Sequence, residues 1–381
     1  MDLGFVSNVV YPFVEGGAQK RVHEIGTRLA ADGHDVTVYA RHFWDGPPET
    51  THEGMTLRAV AAETDLYTGD RRSITEAIDF GARLVRPLRA GSARHDHDLL
   101  VVSVFPYFPV LAATLASLGT ETPVVTTWHE VWCEHWEDYL GRLALGGKLV
   151  ERVTARVPQY PIAVSEGTAD GLARIGPPRS EIAVVPNGID VARIRRATLP
   201  EGATGYDVLF VGRLTRNKNV ALLLDAFDGV AAEHDVTLGI VGDGPERERL
   251  RRRASRLSHA ERVDFLGFLD DYDDVLGHMA AATAFVSPST REGFGITFAE
   301  AMAADCAVVA ADHPDSAADE AIGEAGFLVD PTVDALSETL DAVLRGARPP
   351  GDPTERAERY DWDTVASQAT SAYRRAITGQ W

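Results

Sequence analysis

Short apolar runs recur along the whole chain, each followed by a turn and then by a longer amphipathic stretch. In the first half the runs read LGFVS, DVTVYA, LLVVSVF, PVVTT, PIAVS and IAVVP. Runs apolar at consecutive positions predict strands covered on both faces, and the amphipathic stretches between them predict crossover helices. This is the pattern of β-α units feeding a parallel sheet. In GAQKRVHEIGTRLAADG, for instance, Val22, Ile25 and Leu29 fall on one helical face. The pattern restarts with YDVLFVG and continues through VTLGIVG, VDFLG, AFVSPS, CAVVAA and GFLVD. The chain is therefore expected to be α/β, with two Rossmann-like, doubly wound domains.

The small and polar stretch from 187 to 206 separates the halves and places the domains at 1–190 and 207–362, with 191–206 as linker. The final segment, 363–381, has helical spacing in WDTVASQATSAYRRAI and is expected to pack back toward the first domain. A length of 381 residues suits two domains of ordinary size. One segment imitates a membrane span: residues 99–118 carry no charge. Pro106 and Pro109 fall where a short buried strand would turn into a helix, which favours strand, turn and helix over a span.

Charge narrows the choice of partners. The chain has 37 Lys and Arg against 57 Asp and Glu, a net charge of −20, so its field opposes nucleic acid and anionic surfaces except at a local basic patch. Its lysines are Lys20, Lys148 and Lys218 alone, and an acidic, lysine-poor surface is the expectation for a halophilic protein working in high salt. Cys133 and Cys306 lie far apart, with no metal-ligand spacing, and the N-terminus lacks a basic region and a cleavage site. Both point to a reducing, cytoplasmic location.

In open α/β sheets ligands bind beyond the carboxyl ends of the strands, so the loops after each run are where chemistry is expected. After the first strand, Glu15, Gly16, Gly17 and Ala18 open a helix whose amide N–H groups could meet a phosphate; a plain tight turn is the alternative. The dinucleotide glycine fingerprint is absent there and in GDGPER, residues 242–247, which argues against a dehydrogenase. After the strand that starts the second domain, Arg213 offers a bidentate guanidinium and Lys218 a point charge, suited to phosphates but equally ordinary as surface charge. In SPSTREGFGITFAEAMA, Gly293 and Gly295 turn the chain into a helix expected to begin near Ile296. Glu292 then lies before the helix and Glu300 one turn inside it. They read either as a dipole-complementing acid and a solvated helix residue, or as paired acceptors for hydroxyls.

The combination of GG at 16–17, PNGID at 186–190, GRLTRNK at 212–218, GDGP at 242–245, FLGF at 265–268 and the E-x7-E stretch at 292–303 resembles the retaining glycosyltransferases of family 4, over nearly the whole chain. The resemblance implies a GT-B fold, in which the two domains face a central cleft and the first binds the acceptor. It implies that Gly16 and Gly17 contact the donor diphosphate or sugar, and that Arg213 and Lys218 neutralise the diphosphate. It further implies that Glu292, with Gly293, Phe294 and Gly295, holds the donor sugar, and that Glu300 takes the ribose hydroxyls. Asn187 and Gly244 would lie along the nucleotide, Gly267 and Phe268 would meet the base, and His129 in TTWHE would stand beside the reacting sugar. One departure concerns Asp315, Ser316, Ala317 and Ala318, which replace the glycine-rich turn of relatives; Glu320 is the candidate match for the glutamate that follows it.

The reaction implied is transfer of a sugar from a nucleoside diphosphate to an acceptor hydroxyl, with retention, in glycolipid, glycan or polysaccharide synthesis. No nucleophile is evident, which favours departure and attack on one face, and no metal motif or cofactor is required. The rival readings are a sugar-nucleotide epimerase, another GT-B enzyme, or a non-catalytic nucleotide-sugar-binding protein. Two stripes in the first domain bear on the acceptor. Trp128, Trp132 and Trp136 recur every four residues, as core packing or as an aromatic wall for a sugar or lipid-linked acceptor. Lys148, Arg152 and Arg156 do the same, as a solvated helix face or as a peripheral contact with the inner membrane face.

Overall fold

The computed structural model describes residues 1–381 apart from Glu15, Gly69, Asp70 and His95. The chain divides into two compact units, residues 1–186 with 362–381, and residues 187–361.

In the first unit the strands are β1 (Asp2–Val6), β2 (Asp35–His42), β3 (Glu49–His52), β4 (Met55–Ala62), a short pair β5 (Tyr67–Thr68) and β6 (Arg71–Arg72), β7 (Leu99–Ser103), β8 (Val124–Trp128), β9 (Tyr160–Ala163) and β10 (Ala183–Val184). Eight of them form one sheet in the order β10-β9-β8-β7-β1-β2-β4-β3, parallel except where β3 runs against β4. The central strands are apolar at consecutive positions because both faces are covered. One face carries Val102, Val110 and Trp128, and the other carries Phe5, Val38 and Val101. The helices are α1 (Gly17–Ala31), α2 (Ile74–Arg94), α3 (Phe108–Ser117), α4 (Trp136–Leu140), α5 (Ala144–Arg156) and α6 (Glu166–Ala173). Residues 99–118 are the strand β7 and the helix α3, and among the described residues no helix is long and apolar enough to cross a membrane. The β3 and β4 strands were not expected. Only β4 alternates buried and half-buried positions clearly, and an edge pair covered on one side lacks the continuous apolar run that marked the others.

The second unit holds α7 (Val191–Arg196), β11 (Val208–Val211), α8 (Val220–Ala231), β12 (Leu238–Val241), α9 (Arg247–Ala254), β13 (Val263–Gly267), α10 (Tyr272–Ala281), β14 (Ala284–Ser287), α11 (Ile296–Ala303), β15 (Ala307–Ala311), α12 (Ala318–Ile322), β16 (Phe327–Val329), α13 (Val333–Leu344) and α14 (Pro353–Glu358). Its sheet is wholly parallel, in the order β13-β12-β11-β14-β15-β16. The stretch expected to be a linker contains α7, started by the Asp190 side chain accepting from the Arg193 N–H and anchored by buried Val191 and Ile194. Six of its residues therefore belong to a packed helix, because the i and i+3 apolar spacing of Val191 and Ile194 outweighs the polar remainder.

The last helix, α15 (Trp362–Thr378), belongs to the first unit. Its residues Trp362, Val365, Ala369, Ala372, Tyr373 and Ala376 recur at helical spacing and join the core on the Phe5 side of the first sheet.

Candidate active site

The strand order of the second unit reverses direction between β11 and β14, and a doubly wound sheet opens a crevice at such a point, beyond the strand ends. The loop after β11 carries Arg213 and Lys218, and the loop after β14 carries Glu292. Main-chain and short side-chain hydrogen bonds stitch the two loops together. The Asn217 carbonyl accepts from the Thr290 N–H at 2.9 Å and from the Ser289 hydroxyl at 3.3 Å, while Asn217 Nδ2 donates to the Arg291 carbonyl at 3.4 Å. That stitching brings Lys218 Nζ onto Glu292 Oε1 in an ion pair whose side chains are only 20% and 11% exposed. Arg213 is exposed, and its guanidinium has no partner among the described residues. Two of the residues singled out from sequence thus meet across this loop pair, and a third, Arg213, is carried on it.

Glycine is structurally required around this crevice. A Cβ on Gly242 would lie 2.0 Å from the Gly212 carbonyl oxygen, so the loops after β11 and β12 can only approach if residue 242 has no side chain. Gly295, at φ +82, starts α11 in the left-handed region, and a Cβ there would meet the Phe298 ring at 2.4 Å. Gly244 presses on the loop after β11, with its Cβ position 2.5 Å from the Leu214 carbonyl oxygen. The Gly267 carbonyl, at the end of β13, accepts from the Gly242 N–H at 2.7 Å, and Phe268 beyond it is 68% exposed. Phe294 is buried edge-on against Tyr360 at 5.1 Å, and Asn187 is buried at the start of the unit.

The helix α11 begins at Ile296 as expected, but Glu300 is no solvated helix residue: it is 2% exposed. Its two carboxylate oxygens each accept from the Tyr272 hydroxyl at 2.7 Å. Tyr272 starts α10 with its ring partly exposed and its hydroxyl turned inward. Burial, and then the adjacent carboxylate, push its pKa well above the usual value. Glu292 is no first-turn acid either, since α11 has none in its first turn; it stands ahead of the helix in a backbone bridge with Ser316. There the Glu292 N–H donates to the Asp315 carbonyl and the Ala317 N–H donates to the Glu292 carbonyl, at 3.3 and 3.0 Å. The residues that replace the glycine-rich turn therefore hold the main chain of Glu292. Glu320 follows in α12, its carbonyl accepting from Arg356 and Tyr360.

In the first unit, Gly16 caps α1 with no side-chain cap bond and no acid follows in the first turn, which leaves the helix N-terminus positive and accessible. Gly16 and Gly17 are exposed, while Glu15 lies outside the described residues. His129 follows β8 directly. Burial, with the Arg21 charge second, pulls its pKa down to about 3, so the imidazole is neutral. Arg21 is 3% exposed, its guanidinium donates to the carbonyls of Pro186 and Val185, and burial lowers its pKa to about 10. Sequence reading missed Arg21, although an arginine four residues before Ile25 on the apolar face of α1 was the signal that it would be buried.

The tryptophans do not share a helical face. Trp128 ends β8 fully buried, whereas Trp132 precedes a short turn and Trp136 starts α4. Trp132 and Trp136 gather around Glu151, which is 1% exposed and accepts from the Trp132 and Cys133 N–H groups, Trp136 Nε1 and the Tyr107 hydroxyl at 2.6 to 3.1 Å, whereas Trp128 Nε1 donates to Thr126 and Gln159. Lys148, on the same helix, pairs with Glu134 and Glu137, so of the basic stripe only Arg152 and Arg156 make no ion pair among the described residues. Elsewhere, Glu233, His234 and Asp341 bring ligand-type atoms within 4.8 Å, but Arg345 pairs with both acids and supplies the compensating charge.

Residues 193–360 match the family model described as glycosyl transferases group 1, and residues 15–193 match that described as glycosyltransferase family 4. The chain is 38% identical to the phosphatidyl-myo-inositol mannosyltransferase of Mycobacterium leprae over 385 residues, covering 96% of this chain and 94% of that protein. It is 28% identical to the glycogen synthase of Mycobacterium tuberculosis over 402 residues, covering 97% and 93%. Among solved structures it is similar to Anabaena Alr3699/HepE in complex with UDP and glucose, with a TM-score of 0.73, 22% identity and coverage of 98% and 99%.

Proposed function

The chain belongs to the group 1, family 4 glycosyltransferases, and from that premise we propose how its own residues carry out the transfer. As a member it moves a sugar from a nucleotide sugar to an acceptor in glycan synthesis. The observation that carries the proposal is the Lys218–Glu292 pair at the β11/β14 switch point, where the loop that supplies Lys218 also carries the exposed Arg213.

In the unliganded protein Lys218 and Glu292 neutralise each other. A nucleoside diphosphate would draw Lys218 and Arg213 onto its phosphate oxygens and leave the Glu292 carboxylate to accept hydrogen bonds from the sugar hydroxyls. Glu300, already oriented by Tyr272, would accept hydrogen bonds from the ribose 2′- and 3′-hydroxyls. Phe268 and Gly267 would take the base, and Asn187 and Gly244 the rest of the nucleotide. With no nucleophile evident in the sequence motifs, the bond from the anomeric carbon to the diphosphate breaks as the acceptor oxygen bonds on the same face. The acceptor proton then passes to the leaving phosphate oxygen. The chain's contribution is electrostatic: two cations fixed where negative charge accumulates. His129, held neutral, would act as a hydrogen-bond partner rather than as a charge, and Gly16 and Gly17 would offer main-chain N–H groups.

The acceptor is assigned to the first unit, and the relative acting on phosphatidyl-myo-inositol supports a lipid-linked one. A peripheral contact at the cytoplasmic membrane face and a high-salt environment complete the reading. It is tested by screening nucleotide sugars for thermal stabilisation and then for donor hydrolysis. Failure of every nucleoside-diphosphate sugar to stabilise the protein would refute it.

A further inference from the structure

The first unit holds an open apolar pocket of about 370 Å³, lined by Ala77 of α2, Phe105 and Tyr107 from the loop after β7, Trp136 and Leu140 of α4, and Val150 of α5. Its volume falls in the range of small-molecule sites, and its lining is almost wholly hydrocarbon and aromatic. Ile74 and Leu143 line its mouth, and the segments that carry them leave further large apolar side chains in the open. Ile74 and Ile78 of α2 are 46% and 47% exposed, and Leu143, Leu145 and Leu149 are 64%, 80% and 64% exposed.

Helix α5 explains why those leucines face outward. Its inner face is made of Ala144, Gly147, Glu151, Thr154 and Ala155, fixed by Glu151 on its four donors and by Gly147, whose Cβ position lies 2.5 Å from the Trp136 ring. Leu145, Leu149 and Val153 recur every four residues on the opposite side, with Arg142, Arg152 and Arg156 between and beyond them. A contiguous exposed apolar patch of this kind marks an interaction site. The arginine flank on a chain of net charge −20 makes an anionic partner the complementary one. A second copy of the chain would bring the same arginines against these, and like charges in an isologous contact oppose it.

We infer that this cavity takes one hydrocarbon chain of an amphiphilic acceptor, drawn from an anionic bilayer against which α5 and the start of α2 rest. The inference rests on the glycosyltransferase reading only for the word acceptor; the binding of the chain can be measured by itself. Since a methylene fills about the volume of a water, about 30 Å³, the cavity has room for about a dozen carbons.

The test is calorimetric titration of the intact protein with lysophosphatidylglycerols of about eight to about sixteen carbons, each below its critical micelle concentration. Affinity should rise about fourfold per added methylene and level off near about twelve carbons. Gly146→Phe fills the cavity without disturbing the fold, because Gly146 lies on helix α5 at the cavity wall and a Cβ there meets nothing within 4 Å. It should weaken binding at least about tenfold, while thermal stabilisation by the nucleotide sugar stays at the wild-type value. Affinity independent of chain length, affinity rising without a plateau, or equal affinity in Gly146→Phe would each overturn the inference. Self-association that is abolished by Gly146→Phe would overturn it too, by placing a second copy in the cavity. Failure of the glycosyltransferase reading would show instead as absent donor stabilisation with chain binding intact.

Discussion

Lys218 and Glu292 lie 74 residues apart in sequence and form an ion pair with each other. The cation suited to phosphate and the carboxylate suited to sugar hydroxyls are thus held in one half-buried contact, ready to be exchanged for ligand. Lys218→Ala should lower kcat by about 10²- to 10³-fold, the cost of removing one fixed stabiliser of developing negative charge. In a double-mutant cycle with Glu292→Gln, unfolding free energies should show a coupling of about 0.5–3 kcal/mol. Independent, additive effects in urea titrations would contradict the pairing.

Arg213 makes no contact that the fold needs, so Arg213→Ala should leave the unfolding midpoint within about 0.5 kcal/mol of wild type. It should nevertheless weaken nucleoside-diphosphate binding, and Arg213→Lys should restore binding only in part, because an ammonium lacks the bidentate fork. Equilibrium titration with the diphosphate at two salt concentrations reads both effects.

The Tyr272 hydroxyl serves both oxygens of Glu300, so Tyr272→Phe leaves a buried carboxylate short of a donor. The expected loss is about 1–3 kcal/mol of stability, recovered in part by saturating nucleotide whose ribose hydroxyls replace the phenol. Thermal melts of the variant with and without nucleotide measure that recovery; an unchanged melt without nucleotide would remove Tyr272 from the account.

For His129 the direction of the pH effect follows from its lowered pKa. The unfolded chain takes up the proton as the pH falls through about 6.5, whereas the folded protein does so only near about 3. Stability present above pH 6.5 is therefore lost across that window as acid is added. Between pH 7 and pH 5 wild type should lose up to about 2 kcal/mol more than His129→Gln, since each pH unit in the window is worth at most about 1.4 kcal/mol. Urea midpoints at the two pH values make the comparison, and parallel curves would mean that His129 titrates normally.

Much of the fold was legible because its signals are local. Every apolar run singled out in the sequence became a strand, and the helix after Gly293 and Gly295 begins at Ile296 as expected. The exceptions were features that depend on coverage by other elements. The strands β3 and β4, the helix α7 within the expected linker, and the division of the three tryptophans among strand, turn and helix all belong to that group.

The sequence by itself determined two α/β halves, the glycines without which the crevice loops could not approach, and the kinds of side chain available to meet a sugar nucleotide. Periodicity and backbone sterics act over a few residues, and a single chain displays them in full. Only the tertiary structure decided that Lys218 neutralises Glu292 and that Tyr272 holds Glu300. It alone brought the charge of Arg21 to bear on His129, and it alone turned the leucines of α5 outward beside an apolar cavity. Those relationships come from strand order and from which helix face finds cover, and neither is written in the spacing of any one segment.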